Sequence, residues 1–237
     1  MRDTDMTVPH GIRLEGVTKT YRSRGEHVEA VADITLDIDP GSSVAIVGPS
    51  GAGKSTLIAL IGALDVPDNG RLVVGGWTVS ALGERARAEI RRRVYGYVFQ
   101  SDNLLPFLTA RENVELQRSL AGRPPDSVRC QALLHDVGVE EFADRLPDVL
   151  SGGQRQRVAL ARALAHEPRI VIADEPTASL DHANAAAVVE LLVRVHRTSG
   201  STLVVVTHDV SVAERLDRTV CLADGRVTSD TGSASVR

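Results

Sequence analysis

The chain has 237 residues, of which 43% are hydrophobic and 24% charged, enough to fill one large, well-cored domain and too apolar for general disorder. A formal net charge of -4 gives no electrostatic basis for nucleic-acid binding, and aromatics at 3% leave few stacking platforms for single strands. No apolar run approaches the length needed to cross a bilayer.

The opening decapeptide, MRDTDMTVPH, is polar and mixed in charge, without the apolar stretch of a secretory signal. Cys130 and Cys221 match no metal-ligand spacing and read as idle thiols, so a reducing, cytoplasmic setting is the expectation. Among 27 basic residues only Lys19 and Lys54 are lysines. A lysine kept in so arginine-rich a chain marks a place for a compact ammonium rather than a planar guanidinium.

Along the chain, residues 12–17, 34–38 and 72–74 alternate in polarity between Gly, Pro and Asp, which predicts an accessory antiparallel sheet. Residues 43–47 form a continuous aliphatic run, followed by a Gly-rich loop and a helical pattern over 54–64. The arginine-rich stretch 85–93 carries Glu84 and Glu89 at helical spacing, a solvated helix face rather than a lipid or nucleic-acid site. Helices are predicted at 110–120, 127–137 and 154–166, the last ending before Pro168. Two further aliphatic runs, 169–173 and 202–206, are followed by Asp174-Glu175 and by Thr207-His208-Asp209. Such unbroken runs read as parallel strands covered on both faces. The fold class is therefore α/β: a mixed sheet flanked by helices, formed by about 11–100 and 167–228, with an accessory antiparallel β-subdomain and an inserted α-helical subdomain over about 101–166. The small, polar end is expected to fray, with 229–237 as a flexible tail.

Gly48-Pro49-Ser50-Gly51-Ala52-Gly53-Lys54-Ser55 fits G-x-x-x-x-G-K-[ST], directly after a strand and before a helix. Glycines let successive N–H groups curl toward a phosphate chain, the helix N-terminus adds partial positive charge, Lys54 reaches the β/γ-phosphates and Ser55 can hold Mg²⁺. At the end of the next aliphatic strand, Asp174 is placed for the Mg²⁺ shell and Glu175 to polarise an attacking water. Within the helical insertion, Leu150-Ser151-Gly152-Gly153-Gln154 opens an Arg/Ala/Leu-rich helix. It reads either as a plain Ser N-cap or as a second anion nest, which one nucleotide per chain would not require.

Taken together these residues resemble the ATPase subunit of ATP-binding-cassette (ABC) systems, over about residues 11 to 228. The phosphate loop through Thr56, Gln100, the 150–154 signature, Asp174-Glu175, the turn Ser179-Leu180-Asp181 and His208 stand in the family's order. The resemblance implies a P-loop NTPase core, ATP and Mg²⁺ as ligands, and Tyr21 as the platform for adenine. It also implies that Gln100 senses Mg²⁺ and water, and that His208 contacts the γ-phosphate beside the general base Glu175. It further implies a homodimer closing head-to-tail over two ATP, with Ser151, Gly152, Gly153 and Gln154 of one subunit facing the phosphate loop of the other. Such a cassette works peripherally on the inner face of the cell membrane through an integral-membrane permease.

A narrower similarity, through 97–114 (YVFQSDNLLPFLTARENV), Ala63-Leu64-Asp65 and 84–93, is to the branch of lipoprotein-releasing, macrolide-efflux and antimicrobial-peptide-export ATPases. Thr177-Ala178-Ser179, Ser101-Asp102 and Gly75-Gly76 depart from that branch's usual residues without touching the hydrolytic core. The expected function is ATP-powered export or extraction through a permease. The competing reading is a mechanotransmission ATPase that uses the same cycle to control an extracytoplasmic activity without transport.

Overall fold

The fold comes from a computed structural model, which describes residues 11–23, 26–178, 180 and 182–232. In chain order, β1 (Ile12–Ser23) and β2 (Glu26–Ile38) lead to β3 (Ser43–Val47), α1 (Lys54–Ile61), β4 (Asn69–Val74), β5 (Trp77–Thr78), α2 (Glu84–Val94) and β6 (Tyr95–Val98). Then follow α3 (Ala110–Leu120), α4 (Ser127–Asp136), α5 (Gly152–Leu164), β7 (Ile170–Asp174), α6 (His182–Ser199), β8 (Thr202–Val206), α7 (Val210–Ala213), β9 (Arg218–Ala223) and β10 (Arg226–Asp230).

The polarity alternation near the N-terminus does build an antiparallel sheet, in the order β2-β1-β4-β5. In β1 the buried positions are Ile12 and Leu14, then Val17 and Lys19. The inward phase changes because the register shifts between Leu14 and Val17, where Gly16 has φ +59. A bulge of this kind inserts one residue and flips the side chains that follow. Trp77 lies partly buried against this core.

The second sheet runs β10-β9-β3-β8-β7-β6 and is mixed: β6, β7, β8, β3 and β9 are parallel, and β10 returns antiparallel to β9. The inner strands β3, β7 and β8 are apolar on both faces because both are covered. Val44, Ile46, Ile172, Val204 and Val206 pack with α1 and the small sheet, while Ala45, Val171, Ala173, Leu203 and Val205 pack with α3, α4, α5 and α6. Each fully buried Val, Ile or Leu contributes roughly 1.5–3 kcal/mol of transfer free energy.

Helix ends follow local chemistry. α3 begins where expected because Thr109 and Glu112 form a capping box. α5 begins two residues earlier than the periodicity suggests, because Ser151 and Gln154 form another. α1 stops at Ile61 rather than 64, since Gly62 caps it and Ala63 turns to φ +56. The charged stretch is α2, whose Glu84 pairs with Arg87 and Arg91, and Glu89 with Arg92 and Arg93. The flexible tail expected over 229–237 begins too early. Ser229 and Asp230 belong to β10, and the Asp230 carboxylate takes a two-point ion pair from Arg218.

Candidate active site

The phosphate loop follows β3, Thr207-His208 follows β8, Asp174-Glu175 ends β7 and Gln100 follows β6. These four strands are consecutive and parallel in the sheet, so their carboxyl ends open on one side, where open α/β sheets bind ligands. The register makes the alignment concrete: Ile46 and Asp174 both stand opposite Val206. Two main-chain hydrogen bonds lock the crossing, from Thr207 N–H to the Ile46 carbonyl at 3.2 Å and from Glu175 N–H to the Val206 carbonyl at 2.9 Å.

A cavity of about 600 Å³ lies at these ends. Gly48, Pro49, Ser50, Gly51, Gly53, Lys54, Ser55 and Thr56 line one side, and Gln100, Asp174, Glu175 and His208 the other. Thus the structure brings together the phosphate loop, both carboxylates, the glutamine and the histidine singled out in the sequence. Ala52 is buried beneath the loop rather than on the cavity wall. The loop needs glycine at Gly53, where φ is +95 and a Cβ would fall 2.1 Å from the Ala30 carbonyl oxygen. At Gly48 a Cβ would meet the Leu222 carbonyl oxygen at 2.2 Å. Lys54 Nζ donates to the carbonyls of Gly48 and Pro49 at 2.7 and 2.9 Å.

Asp174 is half-buried, and its carboxyl titrates above the usual range because of that burial and the neighbouring Glu175 charge, with Lys54 pulling the other way. Glu175 adopts φ +46, a left-handed conformation uncommon outside glycine and typical of functional sites. His208 Nδ1 lies 2.9 and 3.0 Å from the two carboxylate oxygens of Glu175, so base and histidine form one contact pair. With the carboxylate ionised, Nδ1–H is the donor.

The donor set fits Mg²⁺. The Ser55 hydroxyl, Asp174 carboxylate and Gln100 amide oxygen are hard oxygen ligands on one cavity, few enough to share the ion with substrate phosphates.

Other predicted residues are not among those lining this cavity. Tyr21 is 40% exposed on β1, and its hydroxyl donates to Asp65 Oδ2 at 2.9 Å while Lys19 Nζ stands 5.4 Å from its ring centre. Ser151, Gly152, Gly153 and Gln154 cap α5 and are not among the residues lining the cavity of their own chain. Leu180 packs partly buried against the helical-side core, and Ser179 and Asp181 lie outside the described residues. Sequence reasoning missed Ala30, Ala178 and Val206 as lining residues. Ala30 comes from β2 of the small sheet, Ala178 follows β7 and Val206 ends β8, and a lone alanine or valine carries no motif.

A strand–loop–helix phosphate cradle facing two strand-end acids defines a P-loop nucleoside triphosphatase. Residues 31–178 match the family described as ABC transporter. The macrolide export ATP-binding/permease protein MacB of Brucella melitensis is 47% identical over 222 residues, covering 93% of this chain and 34% of that protein. The chain therefore spans about a third of such a relative. The lipoprotein-releasing system ATP-binding protein LolD of Ruegeria pomeroyi is 46% identical over 223 residues, covering 92% of this chain and 97% of LolD. Among solved structures, the dimeric, post-hydrolysis MJ0796 cassette bound to ADP and Pi superposes with a TM-score of 0.86 at 41% identity, covering 92% of this chain and 97% of MJ0796. CbiO1 of Clostridium perfringens, part of the cbiONQ transporter complex, gives 0.81 at 27% identity, over 92% and 87%. The chain belongs to the ABC transporter family and is an ATP-binding, ATP-hydrolysing cassette of it.

Proposed function

We propose that this cassette is the motor subunit of a membrane transport complex, working as a homodimer that closes head-to-tail over two ATP and drives export or extraction through a partner permease. The observation that carries the reading is the cavity grouping Lys54, Gln100, Asp174, Glu175 and His208, in a chain aligned to nearly all of a lipoprotein-releasing ATPase. MJ0796, similar over almost its whole length, is dimeric.

In this reading the main-chain N–H groups of residues 50–53 and the Lys54 ammonium hold the triphosphate, Thr56 closes the loop, and the Tyr21 ring offers its face to adenine. Ser55, Asp174 and Gln100 would hold Mg²⁺, which supplies charge neutralisation along the β- and γ-phosphates. Glu175 accepts a proton from the water whose oxygen attacks the γ-phosphorus, as the bond to the β-phosphate oxygen breaks. His208, already on the Glu175 carboxylate, orients the base and meets the γ-phosphate. The second subunit's 151–154 nest covers the same nucleotide, and the Ser179-Leu180-Asp181 turn lies at the interface. Among the described residues no helix is long and apolar enough to cross a membrane, so the reading assigns that role to the permease and places the cassette on its cytoplasmic side.

Recovery of a tagged Glu175→Gln chain from its native membrane after ATP addition tests the partnership. An integral-membrane protein with a large extracytoplasmic part is expected in the eluate. Recovery of the cassette alone, or with a soluble partner, would count against a transport complex.

A further inference from the structure

Gln156 lies on α5, on the turn after the Ser151 cap, and is 2% exposed. Its side-chain Nε2 donates to the Phe99 carbonyl and to the Pro176 carbonyl, each at 3.2 Å. Phe99 immediately precedes Gln100, and Pro176 immediately follows Glu175. Both hydrogens of one buried amide are therefore used on the two main-chain segments that carry the cavity's glutamine and its base.

The neighbouring arginines of α5 act on the same ground. Arg155 Nε pairs with Asp102 Oδ2 at 2.8 Å, and Arg162 donates to the Asn103 and Asp102 carbonyls at 2.6 and 2.8 Å. The segment after Gln100 is thus clamped to α5 along its length. On the other side, a left-handed Glu175 persists only where its surroundings hold it, and the bond to the carbonyl of the next residue is one such hold.

We propose that Gln156 is a positioning residue for hydrolysis: it fixes the main chain at Gln100 and Glu175 relative to each other, from the helix whose N-terminus carries Ser151. The inference rests on the reading of Gln100 and Glu175 as hydrolytic residues. It implies that any displacement of α5 reaches both at once, while the phosphate loop, to which neither of these hydrogen bonds runs, is left in place.

The test compares Gln156→Met, which keeps length and buried volume but removes both donors, with Gln156→Asn, whose shorter amide cannot span both carbonyls. Steady-state ATP hydrolysis and equilibrium ATP binding are measured for both, beside Glu175→Gln and the unaltered cassette. A small misplacement of reacting groups lowers turnover by up to about 100-fold. The expected kcat falls about 10- to 100-fold in Gln156→Met and by less in Gln156→Asn, with ATP Kd within about twofold of the parent. Two ATP-binding variants with parent-like kcat would overturn the proposal, provided Glu175→Gln has lost turnover. So would a loss of ATP affinity as large as the loss of kcat, which would make Gln156 a general structural residue. Full turnover in Glu175→Gln would instead refute the assignment of the base. If Gln156→Met does not fold, Gln156→Asn decides alone, a parent-like kcat again overturning the proposal.

Discussion

Both lysines of this arginine-rich chain end on main-chain oxygens. Lys54 Nζ meets the carbonyls of the phosphate loop, and Lys19 Nζ meets the Val66 carbonyl at 2.8 Å and Asp65 Oδ1 at 3.1 Å with the residue only 8% exposed. A compact ammonium fits these pockets where a guanidinium would need a fork of acceptors. His166 shows the opposite use of a basic group. It is fully buried, its Nε2 meets the Tyr95 carbonyl at 2.9 Å, and its Nδ1 has no hydrogen-bond partner among the described residues. Burial therefore pushes its pKa down to about 4. The neutral form is favoured in the native state, so this stability is complete above the ordinary histidine pKa near 6.5 and is lost as pH falls from there toward 4. Between pH 7 and pH 5 the loss is about 2 kcal/mol. His166→Gln, which can still donate to Tyr95, is expected to remove that increment when denaturant unfolding is measured at both pH values. An unchanged pH dependence would show that His166 does not carry it. The phosphate cradle was legible in the sequence because its residues act within one loop. The contact of Tyr21 with Asp65, the Ala30 wall and the reach of Gln156 were not, because each joins segments distant in the chain.

Helix starts were legible where a side chain speaks for the cap. The Thr109–Glu112 pair marks α3 directly, whereas the glycines after Ser151 masked the first turn of α5. The small sheet was legible from its alternation, though the bulge at Gly16 was not. Polar composition misread β10, since an edge strand paired on one side can be polar throughout. The loop before α1 carries the sharpest prediction at this scale. Gly51 and Gly53 both have positive φ, +80 and +95, but a Cβ at Gly51 meets nothing within 4 Å while one at Gly53 meets the Ala30 carbonyl. Gly51→Ala is expected to lose about 1 kcal/mol, the cost of a left-handed non-glycine residue. Gly53→Ala adds overpacking against main chain, for a loss of about 2–4 kcal/mol. Urea unfolding of the two variants checks the difference, and equal losses would mean that Ala30 yields freely.

At the scale of the whole molecule, α/β class and a helical insertion could be read from runs and periods, but the strand order could not. That order sets β3, β8, β7 and β6 side by side, and with Ala30 of β2 it assembles one cavity from five separate stretches of chain. The same assembly leaves the Ser151–Gln154 cap off its own chain's cavity, the feature that a head-to-tail partner would use. The central claim is that ATP closes two cassettes on each other and that Glu175 is needed to reopen them. Sedimentation of the Glu175→Gln cassette with and without ATP tests it most directly. The account predicts a monomer without nucleotide and a stable, ATP-retaining dimer with it. A variant that binds ATP yet sediments as a monomer at every protein concentration would contradict it.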